Sequence, residues 1–394
     1  AVYAWVGMWT ALFLILLSVT DASFLMRYFT RFTDEIFSAL ISLIFIYESI
    51  HAVVHVFQEA YSKRSVSHDT ALLTLLLTLG TFYIATNLSR FRKSRYLLPR
   101  VREFLSDFGP ALAMAAMTVV ALLLRGAVDL VPLRVPETFG TTSGRGWLVN
   151  PFTAPPWVWL AAAGPALLAT VLVFLDQNIT ARLMNSPKHK LQKGEAYHWD
   201  LAVCGGLIGL SSIFGLPWLV AATVRSLNHL KSLATVEETA AAGGDRQERI
   251  VHVRETRLTG LAIHVAIGGS LLLLPLLRNI PMAVLYGLFL YMGIVSMHGN
   301  QFFERMNLWL MDANLYPSTH YLKKVPRRII HQFTALQLLG LVILWAVKVS
   351  SLAILFPLFI ALGIPVRLLA NRLFEPQHLV ALDADEEPEE DETR

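Results

Sequence analysis

Two charged side chains stand where charge is costly, and their surroundings suggest what they are for. Arg225 lies in GLPWLVAATVRSLNH (215–229), where Gly215 and Pro217 interrupt an apolar run. The arginine is expected in the first turn of a short helix, buried at membrane depth. A guanidinium there costs at least ~2.5–3.5 kcal/mol. A broken helix whose N-terminus carries an added cation is the arrangement an intramembrane anion site needs. Unpaired N–H groups and the helix dipole face the ligand, and the guanidinium adds a full charge with a rigid donor fork. The competing reading of Arg225 is snorkelling to the interface or pairing with a lipid phosphate.

Asp176 closes the apolar run 157–176. An unpaired carboxylate at that depth must be protonated or matched by a cation, unless the cytoplasm hydrates it as a helix-end group. Thr180 lies one turn on, so Asp176 and Thr180 share a helix face, and the hydroxyl could coordinate a cation or a substrate oxygen. Ala221, Ala222, Thr223 and Val224 precede Arg225. Side chains this small let an anion reach backbone N–H groups, and Thr223 is a candidate N-cap, whether for an anion site or for helix packing alone.

Other constellations carry less chemistry. His51 and His55 share a helix face but lack a third metal ligand. Gly205 and Gly209 read as a close-packing face, and Cys204 as a small buried apolar residue. The sequons at Asn87 and Asn178 fall at expected cytoplasmic span ends, so no glycan is expected on either. No nucleophile–base pair or complete metal-ligand set lies on the spans, so no enzyme, cofactor or nucleic-acid partner is expected.

The elements that must position these residues are membrane helices. The 394 residues are 55% hydrophobic and 16% charged, and the mean hydropathy is +0.52. Soluble chains carry nearer ~25% charge. About eleven apolar segments can be counted, near 1–20, 36–57, 70–88, 109–125, 157–176, 200–216, 222–236, 258–278, 281–297, 330–349 and 351–370. The segment at 222–236 fits a half-helix. Their length and lack of alternation exclude a strand barrel.

Basic runs at 90–102, 182–193 and 323–328 orient the chain, placing these loops in the cytoplasm and the Pro/Gly/Thr-rich loop 126–156 outside. Residues 237–250 read as a mobile cytoplasmic linker. The acidic run 382–392 reads as a solvated, disordered cytoplasmic tail. The start at Ala1, inside an apolar run, reads as that of a fragment or processed piece.

Long, ordered stretches resemble the bicarbonate-transporter and anion-exchanger family. They are RFTDEIFSALISLIFIYES (31–49), FRKSRYLLPRVREFLSDFG (91–109), DQNITARLMNSPKHKLQKGEAYHWDL (176–201), GLPWLVAATVRSLNH, RETRLTGL (254–261), IPMAVLYGLFLYMGIVSMHGNQFFER (280–305) and LWAVKVSSLAILFP (344–357). The resemblance implies an all-α polytopic membrane protein with a 7+7 inverted-repeat transporter fold of core and gate domains. About eleven of its fourteen segments are present, and the first three are absent. It implies core 1–20, gate 21–156 with the external loop, core 157–280 with the half-helix, gate 281–372 and tail 373–394.

In this family the position of Asp176 lines the substrate site, as glutamate in exchangers and aspartate in sodium-coupled transporters. Exchangers carry arginine at position 225. The implied substrate site is thus Arg225, Thr223, Val224, Ala222, Asp176 and Thr180, with sodium or a proton at Asp176 and Thr180 in the coupled alternative. Glu48 falls within the gate, where structural hydrogen bonding is its expected role. Lys348 matches a stilbene-reactive lysine, but Ala52 stands where exchangers have its partner, so covalent cross-linking by such inhibitors is expected to fail. LDAD at 382–385 corresponds to a proposed carbonic-anhydrase-binding segment of exchangers.

The implied function is electroneutral chloride/bicarbonate exchange by alternating access at the plasma membrane. The implied partners are chloride, bicarbonate or a related anion, the lipid bilayer, and a second copy joined through the gate domain. Sodium-coupled bicarbonate cotransport is the alternative, followed by borate export and a non-transporting scaffold.

Overall fold

The computed structural model describes residues 1–28, 30–63, 66–136, 140–141, 144–240, 246–317 and 319–384. Helices dominate it. α1 (Val2–Val19), α2 (Arg31–Gln58) and α3 (His68–Arg90) come first, α3 opened by Ser67, whose hydroxyl accepts the Thr70 N–H at 3.1 Å. A short α4 (Pro99–Asp107) meets α5 (Gly109–Leu123) at a 70° bend beside Pro110. α6 (Pro156–Ala161) runs on into α7 (Ala163–Met184), followed by α8 (Tyr197–Ile213) and α9 (Thr223–Leu233).

β1 (Ala234–Ala240) and β2 (Arg246–Val253) pair antiparallel. The remaining helices are α10 (Arg257–Gly269), α11 (Leu274–Leu277), α12 (Met282–Met297), α13 (Gln301–Asn307), α14 (His320–Lys324), α15 (Arg327–Val349), α16 (Phe356–Ala361), α17 (Gly363–Leu373) and α18 (Pro376–Asp383).

Each expected span contains a helix. By length and apolarity, 6 helices among the described residues can cross a membrane, or up to 9 if each bent pair is one span. The expected segments at 200–216 and 222–236 fall outside that count. α8 has 17 residues and α9 has 11, so α9 is a half-helix, as its sequence suggests. The linker expected at 237–250 is different: residues 234–240 and 246–253 form a hairpin with a bulge at Thr235/Val236. Alternating Thr, Val and Glu at 235–238 give the period of a strand. Gly243 and Gly244 lie outside the described residues.

The chain divides into two compact units. The first comprises 1–37, 143–260 and 305–394. In it α1 packs along α7 and α8. A Cβ on Gly205 would stand 3.1 Å from the Leu14 Cβ, and one on Gly209 3.2 Å from the Ala11 Cβ. This is the close-packing face expected of that pair. Trp5 Nε1 donates to Pro151 O at 2.9 Å and Trp9 Nε1 to Trp159 O at 2.6 Å, tying the start of α1 to the segment around α6.

The second unit comprises 38–142 and 261–304. Leu73, Leu77, Met117, Ala121, Ala283 and Val284 form its core between α3, α5 and α12. Gly287 lets α12 touch α3 so closely that an added Cβ would collide with the Thr78 carbonyl. There Thr78 Oγ1 donates to Ala283 O at 3.0 Å.

Candidate anion-binding site

The site is built in the first unit, where α8 stops short. Gly215 takes φ +61, a left-handed conformation that a glycine adopts without a Cβ penalty. Pro217 then has no N–H with which to continue a helix. Arg145, from the loop 126–156, donates to Phe214 O at 3.2 Å and Gly215 O at 2.8 Å, taking up carbonyls freed by the break. An added Cβ on Gly215 would meet that guanidinium and stand 2.8 Å from Val149 Cγ2. The described part of the loop has little regular structure beyond a 3-10 turn at Pro151–Thr153 and a bridge at Pro132, but Arg145 makes it a fixture of the break.

The chain then runs without regular structure to Ala222, the N-cap of α9. Helix α7 holds this stretch from the side. Gln177 Oε1 accepts the Ala221 N–H at 3.1 Å, and the hydroxyls of Thr180 and Thr223 lie 2.6 Å apart. Asp176 is half-buried on the same turn of α7. The first helical hydrogen bond of α9 runs from Ser226 N–H to Ala222 O at 2.9 Å. The N–H groups of Thr223, Val224 and Arg225 precede it, as the unpaired donors of a helix start do, and none has a protein acceptor among the described residues. Past its midpoint, α9 is tied down by His229 Nε2, 2.9 Å from Thr259 Oγ1.

The expected site residues are therefore gathered on α7 and at the start of α9, with two corrections. Thr223 is not the N-cap. It is the first helical residue, and its hydroxyl faces Thr180 across the helix pair because the extended backbone at Ala222 takes the cap position. Arg225 is exposed rather than buried, and no ion pair joins it to Asp176 among the described residues. It stands in the first turn of a helix of 11 residues, where the surrounding structure leaves it open to its environment. Thr180 is 2% exposed, so its hydroxyl serves the contact with Thr223.

Elsewhere, His51 and His55 have ring centroids 6.5 Å apart, and no group of three or more metal-ligating side chains occurs among the described residues. Lys348 lies 5.2 Å over the Trp345 ring. Cys204 is buried, and Asn178 is 1% exposed with its amide on Phe174 O.

Sequence reasoning passed over Gln177, although it stands within the DQNIT stretch. It also passed over a buried ionic cluster around the start of α2. Arg305, fully buried, pairs with Glu35 at 2.5 Å and donates to Gln337 at 2.8 Å. Gln337 in turn donates to Glu35 at 3.0 Å, and Arg31 pairs with Glu35 at 2.9 Å. Arg367 pairs with Asp383, which also accepts the Phe32 N–H at 3.3 Å. The first residues of the expected solvated tail are thus packed, with Leu382 at 1% exposure. Apolar helix ends that each carry a charge (RFTDE, FFER) were the available signal.

The chain matches the family model of the HCO3- transporter integral membrane domain over residues 1–68 and 59–387. It belongs to that family. This chain is 39% identical to anion exchange protein 2 of Rattus norvegicus over 432 residues, covering 98% of this chain and 35% of that protein. Anion exchange protein 3 of Plecturocebus moloch is 40% identical over 428 residues, covering 98% and 34%. Anion exchange protein 3 of Danio rerio is 37% identical over 412 residues, covering 97% and 35%. The chain spans about a third of the length of these relatives.

The fold is similar to the transmembrane domain of a cyanobacterium bicarbonate transporter, BicA. The TM-score is 0.50 at 17% identity, over 86% of this chain and 76% of that one. The family member described here is thus a multi-pass membrane protein of the expected 7+7 transporter fold.

Proposed function

We propose that the chain exchanges chloride for bicarbonate by alternating access, with a monovalent anion held at the start of α9. The observation that carries this reading is the set of donors left open there. The N–H groups of 223–225 and the exposed Arg225 belong to the same first turn of α9, while Gln177 and Thr180 occupy the neighbouring polar groups. An anion with a bicarbonate-like planar edge can take two N–H donors and the arginine fork together. Exposure of Arg225 suits this role, because a cation already paired within the protein would have to release its partner first. The relatives' names, anion exchange proteins, agree with the reading.

Asp176 favours the second reading, sodium-coupled bicarbonate transport, in which a cation sits beside the carboxylate on the face it shares with Thr180. In the exchange reading a proton or solvent meets that charge. We place the chain in the plasma membrane with a cytoplasmic C-terminus, on the basic loops at 90–102, 182–193 and 323–328. We assign it a homodimer through the gate domain and no enzymatic activity. The core and gate boundaries follow the family pattern given above.

The test is flux in proteoliposomes loaded with a pH dye, under a bicarbonate gradient, with chloride or gluconate opposite and with or without sodium. Chloride-dependent, sodium-independent flux is expected. Flux that needs sodium and ignores chloride would replace exchange with cotransport. No flux from the unmodified chain would sink both.

A further inference from the structure

Asp34 is the least satisfied carboxylate of the cluster at the start of α2. Its side chain is 9% exposed, and it pairs with Arg182 at 3.4 Å. Its other oxygen, Oδ1, is buried with no hydrogen-bond partner among the described residues. The adjacent Glu35 is the opposite case, held by Arg305 at 2.5 Å, Arg31 at 2.9 Å and Gln337 at 3.0 Å. Arg182 is 32% exposed, so water reaches it readily. It follows Thr180 by two residues, on the helix that carries Asp176 and Gln177.

We infer that Asp34 and Arg182 are positioning residues of the transport cycle. Their ion pair is a releasable tie between the cytoplasmic end of α7 and the first turn of α2, beside the permanent tie made by Glu35 and Arg305. The inference rests on the exchange reading. A transporter needs two states of similar energy, so an element that moves cannot be held by a fully satisfied buried ion pair, whose rupture is prohibitive. A half-satisfied pair is different. Its desolvation already offsets most of its Coulomb gain, and hydration of the exposed arginine replaces the lost contact. Closed, the pair fixes the face of α7 that presents Asp176. Open, it releases that end toward the cytoplasm.

The test measures half-saturation for the transported anion separately at each membrane face of reconstituted, oriented full chain. A shift between inward-open and outward-open states moves the two constants in opposite directions, whereas distortion of the site or loss of fold moves both the same way. Asp34→Asn and Arg182→Gln should lower the cytoplasmic constant and raise the external one, each by about fivefold. The swap Asp34→Arg with Arg182→Asp should restore both. Constants that move together, that stay fixed, or that the swap leaves displaced would overturn the inference. If Asp34→Asn fails to fold, Arg182→Gln at the more exposed partner decides alone. Absence of flux in the unmodified chain would remove the exchange reading and this inference with it.

Discussion

The start of α9 and the start of α2 both concentrate charge at a helix end, and they treat it in opposite ways. Around Glu35 the charges are answered from within: Arg305, Arg31 and Gln337 meet one carboxylate, and Phe333 stacks 5.3 Å below the Arg305 guanidinium. Around Arg225 the polar groups nearest the break are spent on holding the backbone, and the cation is exposed. A charge whose partners are built in is architecture. A charge to which the described residues offer none is available to a ligand.

That contrast is broken first at the clamp. Arg305→Ala leaves Glu35 buried without its main partner, and the loss should reach about 3–5 kcal/mol. Thermal melting in detergent should show a large fall in midpoint or no folded protein. A variant that melts like the parent would mean the cluster does not hold the fold.

Arg225→Ala is the complementary case. Stability should change by no more than about 0.5 kcal/mol, as at other exposed sites. Anion flux should fall about 10–100-fold, the worth of a charge-assisted contact with the ligand. Equal flux with an altered melting point would reverse the roles assigned to the two regions.

Smaller effects sharpen the picture at the break. Gly215→Ala puts a Cβ into a left-handed backbone and against Arg145, so about 1–2 kcal/mol of strain is expected, with flux reduced as the break shifts. Melting and flux measured together would show it. Gln177→Ala removes one neutral hydrogen bond to Ala221, worth about 1 kcal/mol. It should raise half-saturation about fivefold at either face while leaving the melting point nearly in place. A Gln177→Ala protein with unchanged half-saturation would mean that the 215–222 stretch holds its course without α7.

The sequence by itself determined the membrane class, the place of every apolar segment and the interruption at Gly215–Pro217. These depend on local properties: runs of apolar side chains, and residues with a free φ or no N–H. It also named Arg225, Asp176 and Thr223, because a charge or a cap stands out in an apolar run. Tertiary structure alone decided which of those groups are free. Thr180 reads as a ligand hydroxyl until Thr223 is found 2.6 Å away across 43 positions of chain. Arg305 and Glu35 look like ordinary helix-end charges until a separation of 270 residues closes to 2.5 Å. Residues 382–384 looked solvated until Arg367 and the backbone of Phe32 were found on Asp383. The physical reason is the same each time. A residue's type fixes what it can donate or accept, but whether that capacity is already satisfied depends on groups brought to it from distant parts of the chain.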